Sequence, residues 1–442
     1  MIYINIMFGC QQVLLKPNSE VKAILEYVCS EANKVYNIGL YYARQIYFKE
    51  RRYISKFELD KEVKSNLHYR ALRSCVAQQA LRCVYEGIAS FKALKKKAEK
   101  GDLQFKPKLP NYRKKGLYQV AYPARWVKLV DGNQLKFTLG KLCKTWFGID
   151  HFCLTMPSNL KHKDIKEYRI IPRNGYYYLE LVYIVNVEPV SLCQDNVLGI
   201  DHGLNNWLTC TSTVGTSFII DGKKVKSMNN WYNQQLSTIK ENKPQGFWSR
   251  RLERITEKRN RQMRDAVNKS ARIVINHCLQ NDIGTIVFGW NKNQKQSVNM
   301  GKKTNQKFVN IPTARLKDRI AQLCELYGIR FIEQEESYTS KASFVDGDFI
   351  PTHGERPAEW KSSGKRVKRG LFRTANNYYI NADANGSANI IRKKVTTKSS
   401  VLTNVNLDGV SMGSLIAPQK INIWSAKKKW SQRFSNRVAT SA

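Results

Sequence analysis

An α/β fold preceded by a small antiparallel β-barrel, with an α-helical region inserted into that barrel, is the architecture this sequence predicts. Three observations carry it. The apolar pattern is helical from about residue 17 to 100 and drops to a period of two from about 116 to 190. From about 194 to 395 strands alternate with helices. Asp-Gly and Asn-Gly pairs punctuate the period-two stretch as hairpin turns do.

Residues 1–15 open the chain as an apolar strand. In the helical region that follows, Ala77, Leu81, Val84, Ile88 and Phe91 recur at helical spacing and read as a core-facing stripe. Lys106-Pro-Lys-Leu-Pro110-Asn-Tyr-Arg-Lys-Lys115 then reads as a proline-punctuated basic linker. Trp126–Val130 and Gln134–Leu139 flank Asp131-Gly132, and Arg169–Ile171 and Tyr176–Val182 flank Asn174-Gly175. These strands would close a barrel that uses residues 1–16 and 101–192, with residues 17–100 inserted. The aromatics between its cations could stack bases, but barrel core is the better reading for most of them.

Strands are expected at about 197–202, 206–212, 216–221, 285–291 and 328–336, with helices over about 226–280 and 313–326. A hairpin followed by a helical crossover to further strands, with an acid on the first strand, is the ribonuclease H-like plan. Parallel strands would bring their carboxyl ends to one sheet edge. Asp201 ends the first strand. Asp383 starts a helix behind Asn381, a plausible N-cap, and Gly386 and Ser387 leave that helix a small face to lay on the sheet. Asp201 and Asp383 can therefore converge, where carboxylates repel unless divalent cations neutralise them. His202 points to the other face and receives no catalytic role. The domain expected over 193–395 is followed by a basic, loosely ordered tail over 396–442, with seven Lys/Arg against one Asp.

The 442 residues carry 74 Lys and Arg against 35 Asp and Glu, a net charge of +39. Such an excess calls for a long polyanion, and a globular composition points to nucleic acid. No run of 18 apolar residues suggests a membrane span. Ten scattered cysteines form no CxxC and read as free thiols of a reducing compartment, with the cytoplasm as default. Oligomeric state is not legible.

Gly199-Ile-Asp201-His-Gly-Leu, Ile286–Asn291, Tyr338-Thr-Ser-Lys, Gly364–Arg373 and Asn381–Asn389 together resemble the transposon-encoded TnpB (OrfB) family, related to the type V CRISPR nucleases. The resemblance covers about 195–395. It implies an RNA-guided DNA endonuclease with one RuvC-like two-metal Mg²⁺ site, and a wedge-type barrel with a helical recognition region ahead of it. It further implies a guide RNA from the transposon end and a double-stranded DNA target beside a short adjacent motif. Two alternatives stay open: a nuclease-dead RNA-guided binder, and a transposition accessory protein that binds DNA without a guide.

Two departures matter. Family members commonly carry a glutamate where this chain has Gly289, and four zinc-binding cysteines where it has none after residue 324. No zinc is expected, and Asp346, Asp348 and His353 read as a polar loop. The strand ending at Glu335-Glu336 should neighbour the strand ending at Gly289, about 4.8 Å away. Glu336 is the expected third metal residue beside Asp201 and Asp383, with Glu335 as the alternative, since adjacent residues face opposite ways. Nucleic-acid contacts are expected from Lys365, Arg366, Lys368, Arg369 and Arg373 in the loop before Asp383. The helix residues Arg250, Arg251, Arg254, Lys258 and Arg259, and the linker residues Lys106, Lys108, Arg113, Lys114 and Lys115, are expected to join them.

Overall fold

The computed structural model describes residues 7–103, 105–185, 189–291, 311–397, 402 and 404–424. The chain divides into two compact units, residues 1–186 and 187–442.

In the first unit, strand β1 (Met7–Leu14) leads into helices α1 (Ser19–Glu50), α2 (Lys56–Val63), α3 (Leu67–Ala71) and α4 (Ser74–Glu99). Asn18 caps α1 by accepting from the Val21 N–H at 2.8 Å. The stripe Ala77, Leu81, Val84, Ile88 and Phe91 is buried as its spacing predicts. Gly39 lets α1 and α4 approach, since a Cβ there would lie 2.4 Å from Leu81 Cδ2. The basic segment after α4 is pinned along α1 by residues one and two turns apart. Asn33 Nδ2 donates to the Lys114 carbonyl, Asn37 exchanges two bonds with the Arg113 backbone, and Arg44 reaches the Pro110 carbonyl.

Strands β2 (Val120–Pro123), β3 (Val127–Val130), β4 (Gln134–Thr138), β5 (His151–Thr155), β6 (Ile165–Arg173) and β7 (Tyr176–Val185) follow, with helix α5 (Lys141–Phe147) before β5. Both expected hairpins form. Asp131-Gly132 and Asn174-Gly175 all take positive φ, the left-handed turn that such pairs favour. β1 pairs with β7, so the helices are an insertion between sheet neighbours. The described strands of the expected barrel do not all join in one hydrogen-bonded sheet. The described strands form two sheets, β1-β7-β6-β2 and β3-β4-β5. Aromatic packing joins them: Phe137 of β4 meets Tyr122 and Tyr168 of the other sheet at 5.1 and 5.9 Å.

The second unit is built on β8 (Val197–His202), β9 (Asn206–Ser212), β10 (Ser217–Asp221), β11 (Thr285–Gly289) and β12 (Arg330–Gln334). Its sheet order is β12-β11-β8-β9-β10, with β16 (Gln419–Ile421) added at the edge. β8, β9 and β10 are antiparallel neighbours; β11 is parallel to both β8 and β12. Helices α6 (Lys223–Lys240) and α7 (Arg250–Gln280) fill the crossover, and α8 (Thr313–Tyr327) precedes β12. Apolar residues of α7 and α8, among them Val274, Ile275, Ile320 and Leu323, share a core with Leu198, Ile200 and Phe288. The opposite face carries α9 (Ala382–Thr396), whose Ile390 and Ile391 pack on Val197 and Val287.

Two segments differ from the sequence reading. The expected loop before Asp383 contains a three-stranded antiparallel sheet of β13 (Lys365–Lys368), β14 (Leu371–Arg373) and β15 (Tyr379–Asn381). Its first strand is exposed at all four positions, so no apolar alternation announces it. The tail is also ordered in part: β16 pairs in parallel with β10, and Leu402, Leu415 and Ile423 are buried. Residues 425–442 of that tail lie outside the described residues. No helix among the described residues is long and apolar enough to cross a membrane.

Candidate active site

The strand period sets the site. Val197, Gly199 and Asp201 share the face of β8 that α9 covers. The approach is close because residues on both sides are small. Ser387 Oγ donates to the Gly199 carbonyl at 2.8 Å, and a Cβ on Gly199 would lie 2.4 Å from the Ser387 carbonyl oxygen. A Cβ on Gly386 would lie 3.0 Å from Asp201 Oδ2. Gly386 thus makes the room in which the Asp201 carboxylate sits against the helix.

Asn381 caps α9, accepting from the N–H groups of Asp383 and Ala384, both at 3.0 Å. Asp383 in the first turn is held by two donors: Asn206 Nδ2 at 2.7 Å and Arg366 at 3.1 Å. The asparagines of the same motif face the segment after β12. Asn385 and Asn389, one turn apart and fully buried, both donate to the Ala342 carbonyl; Asn389 also reaches the Thr339 carbonyl. They anchor the turn that follows the two glutamates. That turn places Tyr338 at φ 66°, a left-handed conformation that a bulky residue keeps only when its surroundings impose it.

The two glutamates part company. Glu335 Oε2 meets Lys393 Nζ at 2.5 Å, while that lysine also donates to the Ser337 and Pro351 carbonyls. Burial raises the Glu335 pKa, but the bonds from Lys393 and Ser337 outweigh it and hold the carboxyl below its ordinary value. Glu336 turns to the sheet edge. Its Oε2 is buried, accepts no hydrogen bond among the described residues, and lies 3.0 Å from where a Cβ on Gly289 would be. Burial and then the charge of Glu335 push Glu336 up to about 7, against Lys393. Burial, then the charges of Glu336 and Asp383, raise Asp201 well above the carboxylate range, partly offset by Arg366.

Asp201, Glu336 and Asp383 line one cleft of about 620 Å³, with Asn206, Asn291, Ser340, Lys223, Arg366, Arg369 and Lys420. Among the described residues no three acidic, histidine or cysteine side chains are gathered closely enough to hold a metal ion. The donor set nevertheless fits a hard divalent cation. It is oxygen-only, Glu336 and Asp383 raise the proton affinity of Asp201, and one buried oxygen is unpartnered. His202, on the opposite face, packs against Phe288 and Trp290 with Nε2 3.9 Å from Glu336 Oε1.

The expected cationic residues divide by what they touch. Arg366 is bound to Asp383, whereas Arg369 lines the cleft and Lys365 lines a neighbouring one. Lys368 is exposed on β13 and Arg373 half-exposed on β14. On α7, Arg250, Arg251, Arg254 and Lys258 are exposed. Arg259 is half-buried, and its guanidinium binds Asn229 Oδ1 at 2.7 and 2.9 Å, tying α7 to α6. In the first unit Lys106, Lys108, Lys114 and Lys115 are exposed. Arg113 is exposed as well, and it also stacks over Tyr118 at 4.1 Å and bonds Asn33. Asn206, Asn291 and Lys393 were not expected at the site. Their only signal is pairing across 45 to 177 residues of sequence, which periodicity does not carry.

Two family models match the chain. The probable-transposase model OrfB_IS605 matches residues 180–295, and the Cas12f1-like TNB domain matches 314–390. Together they span β8 through Asp383. Over these residues the chain is similar to the probable transposases of that model and to the Cas12f1-like TNB domain. Among solved structures, this chain is similar to Cas12f1 in a Cas12f1–sgRNA–target DNA complex. Identity is 14%, the TM-score is 0.52, and the match covers 84% of this chain and 83% of that one. It is also similar to the mini-RNA-guided endonuclease CRISPR-Cas phi3, with 11% identity, a TM-score of 0.46, and 88% and 92% covered. No curated protein sequence matches the chain. The first likeness supports a shared mixed α/β fold.

Proposed function

We propose that this TnpB-like chain is an RNA-guided, divalent-metal-dependent DNA endonuclease with a ribonuclease H-like catalytic unit. The single observation that carries the proposal is the position of Glu336. Its free carboxylate oxygen lies 3.0 Å from the Cβ position of Gly289, in the cleft that holds Asp201 and Asp383. The acid absent from β11 is supplied from the end of β12.

The reaction is hydrolysis of a DNA phosphodiester. Water adds to phosphorus, the bond to one sugar oxygen breaks, and that oxygen takes up a proton as it leaves. Asp201, Glu336 and Asp383 would hold Mg²⁺, which supplies charge stabilisation for attacking and leaving oxygens. Arg369, Lys223 and Lys420 line the cleft and would contact the phosphates on either side of the cut. Arg366 neutralises Asp383 and would exchange that contact for the substrate phosphate.

Guide RNA and double-stranded target DNA are the proposed partners. The net charge of +39 supports a polyanionic partner, and the similar Cas12f1 structure contains sgRNA and target DNA. The first unit would read the short adjacent DNA motif, with base pairing to the guide reading the rest. Sequencing RNA that co-purifies with the protein should give one discrete species, and that RNA should direct Mg²⁺-dependent cleavage of a matched plasmid. Binding without cutting would leave a nuclease-dead binder; absence of a discrete RNA would leave a direct DNA-binding protein.

A further inference from the structure

We propose that Asn291 is a positioning residue for divalent-ion binding, holding the Glu336 carboxylate in the space left at Gly289. This rests on the reading of Glu336 as a metal-holding residue. The strand without the acid supplies the amide that holds its replacement.

The register makes the contact. Gly289 of β11 pairs with Gln334 of β12. The ladder continues past the strand ends, with the Trp290 N–H donating to the Gln334 carbonyl at 2.8 Å. Two residues on, Asn291 and Glu336 fall opposite each other, on the same face as Gly289. Asn291 then grips Glu336 at two points. Its Oδ1 accepts from the Glu336 backbone N–H at 3.0 Å, and its Nδ2 donates to Glu336 Oε1 at 3.3 Å.

The second point is the consequential one. A glutamate side chain has three rotatable bonds, and a carboxylate held only by its backbone is free to swing. The amide engages Oε1 and leaves Oε2 buried and unpartnered beside Gly289. The backbone bond fixes which end of the amide faces the carboxylate: Oδ1 is taken by the N–H, so the donor must face Oε1. An orienting contact of this kind typically changes metal affinity about 10–100-fold.

The test is a double-mutant cycle on the full chain, with Mn²⁺ as probe and electron paramagnetic resonance reporting free ion. Asn291→Ala should weaken Mn²⁺ binding about tenfold. In a Glu336→Ala background the same substitution should change nothing further. Cleavage of guide-matched plasmid by Asn291→Ala should recover as Mg²⁺ is raised, and cleavage by Glu336→Ala should not. If Asn291→Ala does not fold, Asn291→Gln moves the amide by one methylene and should weaken Mn²⁺ in the same direction. Wild-type Mn²⁺ affinity in the Asn291 variant, or equal weakening in both backgrounds, overturns this inference alone. Wild-type Mn²⁺ binding and cleavage by Glu336→Ala overturns the reading beneath it.

Discussion

Lys393 Nζ lies 2.5 Å from Glu335 Oε2, and the lysine side chain is only 5% exposed. This contact separates two adjacent glutamates into a structural one and a free one. Removing Glu335 leaves a buried ammonium with carbonyl partners but no counter-charge, so Glu335→Ala should destabilise the fold by up to about 3 kcal/mol. Glu335→Gln should retain cleavage while lowering the melting temperature. The pH dependence follows from the depressed Glu335 pKa. A carboxyl held below its unfolded value contributes stability above that value and loses it as pH falls. The gap in melting temperature between wild type and Glu335→Gln should therefore be widest at neutral pH and close in acid.

Glu336 should behave in the opposite sense. Its pKa is raised from 4.5 to about 7, so the folded protein binds more protons than the unfolded chain between those values. Stability falls as pH rises through that window and levels off above it. In chelator at pH 8, Glu336→Gln should be more stable than wild type, by roughly 3 kcal/mol at most. The same variant should lose plasmid cleavage. Thermal melts at pH 5 and pH 8 check the sign: the gain should be present at pH 8 and small at pH 5. A gain of equal size at both pH values would mean that the carboxylate charge is not its source.

Much of this site was legible in the sequence, for identifiable reasons. Asp201 and Asp383 were readable because each sits at a fixed point of a periodic element, a strand end and a helix first turn. The small face of α9 was readable from Gly386 and Ser387. Parity predicts that Glu335 and Glu336 face opposite ways, but what separates them in the structure is Lys393, 58 residues on, which takes Glu335. The strand Lys365–Lys368 was read as loop because its side chains face solvent on both sides. Arg113 and Arg259 were read as phosphate contacts from local charge alone. Their partners, Tyr118 and Asn33 for one and Asn229 for the other, come from other elements.

A carboxylate returned to its strand should restore a site that has lost Glu336. The obstacle is steric: a Cβ at 289 would lie 2.5 Å from Ile390 Cδ1 and 3.0 Å from Glu336 Oε2. Gly289→Glu alone should therefore destabilise the protein and reduce cleavage, through overpacking of about 1–3 kcal/mol and a second carboxylate in one space. With Glu336→Ala and Ile390→Ala, the same Gly289→Glu should raise cleavage at least tenfold above the Glu336→Ala, Ile390→Ala background. Plasmid cleavage by the three variants and the wild type reads this out. No recovery in a folded triple variant would show that the two positions do not serve the same point in space.

The segment between β12 and α9 should hold together without metal. Asp348 accepts from the Ser343 and Ser363 N–H groups at 2.7 and 3.1 Å and from Ser363 Oγ at 2.6 Å. Asp346 accepts from the Ala375 N–H at 2.9 Å and from Ser343 Oγ. Two carboxylates thus tie residue 343 to residues 363 and 375. Carboxylate bonds to backbone N–H groups are charge-assisted and stronger than neutral ones. Asp348→Ala should remove two of them and the bond from Ser363 Oγ, costing about 2–4 kcal/mol, and should open the segment to limited proteolysis. A zinc chelator should leave the wild-type proteolysis pattern unchanged. Because β13 carries Arg366 to Asp383, the Asp348→Ala variant should also need more Mg²⁺ or substrate for half-maximal cleavage while Asp201 and Glu336 stay in place. A chelator-induced cut between residues 343 and 375 would instead assign the cross-link to a metal.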